Sequence, residues 1–357
     1  MSRPQETIAS GLLLAALATA LAGCPRCPGT AVGVEQLVAE HNANAAAVPR
    51  LWARVRMRVT LADRKGRTFG WGSASPLATP NGLLLLGKGA DPLGPHDFVL
   101  SGRELAGVEL FRIGSSTAQG IYYCWYQLGD NAGAFWGRHE YAGAPGIEAL
   151  PIDPNQLLAV LGICAVPDDL TALPAVAMTL QSDPCAYVLT YVDRRPVSGR
   201  IDFRRKVYFR WADEQPRRPF RVDLLSPDGR CVLTARLSRY RPIAGPSDAG
   251  NTDGALDPDA WLMGAEAPDE SASQTPAANE PDERRPVMPT DIVLERVGHA
   301  GEPTPDGAEV RRVHLRLSNM TTSDKWDRAA CRFDPPTARV IQVDRGVESA
   351  PPRGETP

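Results

Sequence analysis

LWARVRMRVTL, residues 51–61, is where the periodicity of the chain changes, and the change points to a sheet. Leu51, Ala53, Val55, Met57, Val59 and Leu61 make one apolar row, while Trp52, Arg54, Arg56, Arg58 and Thr60 make the other. Strict alternation over this length predicts a strand with one buried and one wet face. On this reading the arginines solubilise the sheet, and the apolar row faces a core. Just upstream the period is helical. Val34, Leu37, Val38, Ala45 and Val48 recur at helix spacing until Pro49 stops the run.

The alternation returns further along. Ile201, Phe203, Val207, Phe209 and Trp211 interleave with charged residues, although Arg205 breaks the apolar row. Val313, Leu315 and Leu317 interleave with Arg312, His314 and Arg316. RPFRVDLLS and RCVLTARLSRY flank Pro227-Asp228-Gly229, a turn sequence. RTFGWGSAS, GLLLLGK, FVLSG, VELFRIG, IYYCWYQL and CAYVLTYVD are further strand candidates. Strand follows strand without alternating helices, which favours an antiparallel meander over a parallel sheet. One helix is expected mid-chain, with Asp153 as N-cap, Pro154 at the first position, and QLLAVLGI supplying the apolar side chains. Residues 165–184, with Pro167, Pro174 and Pro184, read as loop.

The chain has 357 residues, 43% of them hydrophobic, and a net charge of −3. Residues 244–286 hold ten acids against two bases, so this stretch carries −8 and the remainder +5. It reads as a disordered acidic insertion within one domain, and residues 348–357 read as a loose tail. At the N-terminus, a short polar segment with Arg3 precedes an apolar run from Ile8 to Gly23. The run is short for a membrane span and suits a secretory signal. It ends in Leu21-Ala22-Gly23-Cys24, which resembles a lipobox. That motif implies cleavage before Cys24 and acylation of Cys24. Ala20-Leu21-Ala22 offers an ordinary cleavage site as the rival. Cys24-Pro25-Arg26-Cys27 has redox-pair spacing, but it lies at the signal junction and acylation would consume the Cys24 thiol. Six cysteines remain, which allow 15 pairings, and the sequence selects none.

Signatures of chemistry are missing. There is no G-x-S-x-G, H-E-x-x-H, G-x-x-x-x-G-K-[ST] or strand-borne G-x-G-x-x-G, and the five histidines lack metal-ligand spacing. The expectation is a non-enzymatic protein with no cofactor, no metal and no nucleic-acid partner. Arg138-His139-Glu140 is the best polar cluster, and adjacent strand residues point to opposite faces, which favours a structural role. Tyr122, Tyr123, Trp125, Tyr126, Phe135, Trp136 and Tyr141 fall close together. They read as core filling, or in part as the lining of an apolar cavity.

The lipobox, the helix, the LWARVRMRVTL strand, GLLLLGKGADPLGPHDFVLSGRELAGVELFRIG, IYYCWYQL, FWGRHEYAG, LPIDPNQLLAVLGI, MPTDIVLERV and VHLRLSNM together resemble lipoproteins of the outer-membrane lipoprotein-sorting (LolA/LolB-like) superfamily. The resemblance implies a mainly β (α+β) fold, an incomplete antiparallel β-barrel (half-barrel) wrapped around or lidded by a few helices. Residues 1–23 would be signal peptide, 24–33 a tether and 34–347 a single domain. It also implies a lipid-anchored protein of the bacterial envelope, at the outer membrane facing the periplasm. Such a protein binds acyl chains or acylated proteins in its cavity. Val55, Met57 and Val59 would face that cavity, with Tyr123 and Trp125 as further candidates. The alternative is an anchored scaffold or stress sensor that binds an envelope protein without carrying lipid. The long acidic insertion and the extra cysteines depart from the transport proteins.

Overall fold

The computed structural model describes residues 27, 30–62, 68–71, 81–103, 108–128, 131–142, 154–194, 201–211, 217–226, 229–245, 285–297, 309–322, 326–335 and 340–345. Helix α1 (Val34–Ala46) leads into β1 (Arg50–Ala62). Then follow β2 (Thr68–Trp71), β3 (Asn81–Gly87), β4 (Asp97–Arg103), β5 (Glu109–Ser116), β6 (Ile121–Leu128) and β7 (Asn131–Arg138). A short α2 (Pro154–Ala159) precedes β8 (Ala175–Ser182), β9 (Cys185–Arg194), β10 (Ile201–Arg210), β11 (Pro219–Leu225) and β12 (Cys231–Pro242). β13 (Val287–Arg296), β14 (Glu309–Thr321) and β15 (Val340–Gln342) complete the described strands.

All 15 strands belong to one sheet, in the order β15-β7-β6-β5-β4-β3-β1-β14-β13-β12-β11-β10-β9-β8, with β2 beside β1. Every pairing is antiparallel except the short β15–β7 contact. Among the described residues the path does not close, so β8 and β15 are its edges and the barrel is incomplete. LWARVRMRVTL occupies the middle. One edge of β1 pairs with β14, from Trp52 opposite Thr321 to Ala62 opposite Glu309. Its other edge pairs first with β3 and then with β2. β1 therefore joins two meanders, β3–β7 on one flank and β8–β14 on the other.

The alternation in the sequence sorts side chains between the two faces. Leu51, Ala53, Val55, Met57 and Val59 are buried in the main cluster with Leu84, Leu86, Phe98, Phe209, Leu237 and Leu315. Leu37 and Val38 of α1 and Leu157, Leu158 and Leu161 around α2 belong to the same cluster, so both helices lie on this inner face. The close packing has a local device. A Cβ on Gly102 would stand 2.0 Å from Cε1 of Phe111, so the missing side chain is what lets that ring lie along the next strand. The outer face of β3–β7 is also apolar, and the C-terminal segment covers it. Leu85 and Val99 pack with Cys331 and Trp326; Tyr123 and Trp125 pack with Phe333.

Three expectations need correction. Residues 175–182, taken as loop, form the edge strand β8 along β9. Pro174 and Pro184 lie just outside it, where they cost the ladder no hydrogen bond. α2 is shorter than QLLAVLGI implies and ends at Ala159. Gly162 then adopts φ +72°, a left-handed conformation that glycine accepts readily, and no helix continues through it. Arg138-His139-Glu140 is not all strand, because β7 ends at Arg138 and residues 139–141 form a 3-10 turn. Asp153, the expected N-cap, and Cys24 lie outside the described residues.

Candidate functional site

The inner face is a large apolar surface with both described α-helices laid against it. Antiparallel meandering gives this face two distinct ends. At the first end lie the start of β1, the end of β3, the start of β13 and the end of β10. Here α1 and the segment 160–166 are clasped to the sheet through main-chain groups. Lys88, just beyond β3, donates from Nζ to the carbonyls of Ala45 and Ile163, the latter at 2.7 Å. Asn44 spans the N–H and C=O of Val287 at 2.9 and 3.0 Å. Asn42 does the same for Val166, at 2.9 and 2.8 Å. Each asparagine amide thus satisfies a donor and an acceptor that would otherwise be stranded in an apolar layer.

Charged groups complete the clasp. Arg205, the residue that interrupts the apolar alternation of β10, is buried and donates to the carbonyl of Ala165 at 2.7 Å. Glu40 and Arg217 pair at 3.1 Å, and the guanidinium lies over the Tyr187 ring. His41 is buried on the core side of α1, edge-on to Phe209 and 2.9 Å from the carbonyl of Cys164. Burial pushes its pKa down to about 4, helped by the charges of Arg205 and Lys88 and opposed by the Cys164 carbonyl. The disulfide Cys27–Cys185, with Cα atoms 5.6 Å apart, ties the tether to β9 near the same end. Cys124, Cys164, Cys231 and Cys331 are free.

Exposure rises toward the second end. Along β1 the inward side chains read 0% at Leu51 and Ala53, 2% at Val55, 6% at Met57 and 8% at Val59. Neighbouring strands place partly exposed apolar side chains at this end too, including Leu110, Tyr126, Phe135 and Leu233. Val55, Met57 and Val59 thus share the buried inner face. Tyr123 and Trp125 do not join them. They project from the opposite face of β6, where Tyr123 donates to the carbonyl of Cys331 at 3.0 Å. Their neighbours Tyr122 and Cys124 are the inward residues of that strand.

The polar cluster at 138–140 serves packing. Arg138 donates from its backbone N–H and from Nε to the buried Asp344, at 2.9 and 3.1 Å, which fastens the C-terminal segment to β7. Those bonds outweigh burial and lower the Asp344 pKa. Ser115 lies 3.2 Å from Nε2 of His139, a spacing that could suit a nucleophile and its base. Its hydroxyl, however, donates to the carbonyl of His96 at 2.6 Å, so the imidazole N–H must be the donor to Ser115. Among the described residues no group of three His, Cys, Asp or Glu is placed to hold a metal ion.

The clasp residues escaped the sequence reading, although two left traces. The helical apolar series skips from Val38 to Ala45, and His41 fills that gap on the same face. Arg205 showed as a break in alternation. Lys88 and the two asparagines left no mark.

No family model matches the chain, and no curated protein matches it. Several solved structures are similar. A DUF1329 family protein from Desulfovibrio piger shares 10% identity at a TM-score of 0.43, covering 84% of this chain and 98% of that one. A putative outer membrane lipoprotein-sorting protein domain from Vibrio parahaemolyticus shares 9% identity at 0.42, covering 84% and 95%. A LolA superfamily protein from Nitrosomonas europaea shares 14% identity at 0.39, covering 85% and 99%. The class of this protein rests on its own topology, an open antiparallel half-barrel with helices clasped to its inner face.

Proposed function

We propose that this is a non-enzymatic, lipid-anchored protein of the bacterial envelope, facing the periplasm, whose half-barrel binds an acyl chain or an acylated protein. Cys24 is the acylated residue, and the ligand lies along Val55, Met57 and Val59. The observation that carries this reading is the asymmetry of the inner face. The helical layer is fixed by main-chain hydrogen bonds at one end, while the apolar row of β1, buried throughout, rises from 0% exposure at Leu51 to 8% at Val59 toward the other. Unbranched hydrocarbon suits such a surface, since it gains about 0.8 kcal/mol per buried methylene and demands no polar partner.

Native mass spectrometry of the chain starting at Pro25, mixed with phospholipid or with an acylated peptide, tests the reading. One bound acyl species is expected, and Met57→Trp should reduce its occupancy while circular dichroism stays unchanged. An inner face that stays empty with every lipid, together with a stoichiometric protein partner, would establish the anchored scaffold instead.

A further inference from the structure

The register of β1 against β14 creates a feature that neither strand shows alone. On the outer face Arg56 stands directly opposite Arg316, and Arg58 opposite His314. Directly paired side chains on one face lie roughly 5 Å apart at Cβ, and like charges there destabilise the sheet. The nearby acids relieve them only in part: Asp291 of β13 stands opposite Arg316 but is shared with other cations. On β13, Asp291 is engaged by His314 at 2.5 Å and by Arg239 at 3.7 Å. Glu295 is engaged by Arg236 at 3.7 Å and by Arg312 at 3.6 Å. Arg56, Arg58 and Arg316 are exposed and form no ion pair among the described residues. Three adjacent exposed cations, with only the shared Asp291 opposite one of them among the described residues, favour a negatively charged partner.

We propose that this outer face of β1 and β14 docks on an anionic lipid surface, with Arg56, Arg58 and Arg316 among the headgroup phosphates. The cations sit on an open strand surface, not in a pocket that would fix the geometry of one anion. Long, mobile side chains in that setting suit the diffuse charge of a bilayer. The choice of a bilayer rests on the anchor proposed above. Cys27 is three positions beyond Cys24 and is bonded to Cys185, so the body would be held within about 10 Å of the acyl chains along that path.

Vesicle flotation tests the proposal on the chain starting at Pro25, with its disulfide intact and no acyl anchor. Binding is expected to phosphatidylglycerol vesicles but not to phosphatidylcholine vesicles, and it should weaken as salt rises. Each positive charge removed should weaken binding about fivefold, so Arg56→Gln/Arg58→Gln/Arg316→Gln loses roughly a hundredfold. Arg56→Glu separates docking from folding. It sets a glutamate opposite Arg316, so the melting temperature should hold or rise while binding drops roughly 25-fold. Unchanged binding by the triple variant, equal binding to neutral vesicles, or tighter binding to polyaspartate than to vesicles at the same salt would overturn the proposal. The last result would make an acidic protein the partner. Anchoring is read separately, since Cys24→Ser should abolish acyl labelling whether or not the arginines dock.

Discussion

His41 contributes to the acid response of the fold through its surroundings. Arg205 and Lys88 are the charged groups that act on it, and the Cys164 carbonyl is its hydrogen-bond partner. In the folded chain it titrates near 4, against the ordinary 6.5 when unfolded. Between those values the unfolded chain binds a proton that the folded chain refuses, so stability falls as pH drops from about 6.5 and levels off below about 4. From pH 7 to pH 4.5 this amounts to about 2 kcal/mol. Urea denaturation at the two pH values should show wild type losing about that much more than His41→Gln, which cannot titrate. His96 and His139 are shifted down by burial as well, and in that comparison their contributions cancel. Histidine 41 was legible in part, as the residue filling a helical apolar row. Its proton affinity was not, because that depends first on burial against elements remote in sequence, and then on the Cys164 carbonyl, Arg205 and Lys88.

Elements hold to one another here through a few polar side chains that reach main-chain carbonyls. Lys88 is the sharpest case, since a single ammonium joins the last turn of α1 to the segment after α2. Burial lowers its pKa, and the two carbonyls keep it in place. Lys88→Met should cost about 2–3 kcal/mol by leaving those carbonyls without a donor. Hydrogen exchange should speed up in α1 and residues 160–166 and stay slow in β1 and β14. Uniform acceleration would mean the clasp is not local. At this scale the strands with clean alternation, β1, β12 and β14, could be read directly. β8 could not, because an edge strand buries little. Val176 is its one fully buried apolar side chain, and Leu180 is more than half exposed. The split of IYYCWYQL between two faces was equally hidden. An apolar run with no polar side signals two covers, and only the C-terminal segment identifies the second one.

Across the whole molecule, the sheet runs past the acidic stretch without interruption. β12 and β13 are neighbours, Pro242 pairs with Val287, and the N–H of Ile243 donates to the carbonyl of Pro286 at 2.9 Å. Residues 246–284 therefore join two strand ends that are already adjacent. Replacing them with a four-residue turn should leave the fold intact. A roughly tenfold shorter loop saves about 2 kcal/mol of closure entropy, so urea denaturation should show equal or higher stability. A loss of cooperative unfolding would show that the stretch contributes to the core. The meanders themselves were visible as successive strands. The union of β1 with β14 was not, since nothing local in either strand specifies so remote a partner. That union also imposes a schedule on biosynthesis. β1 emerges early from the ribosome, and β14 among the last strands, so β1 stands with one edge bare while most of the sheet is being made. A bare hydrophobic strand recruits copies of itself, and a charge at every second position opposes that. Before they meet any surface, Arg54, Arg56 and Arg58 are guards of an unfinished sheet.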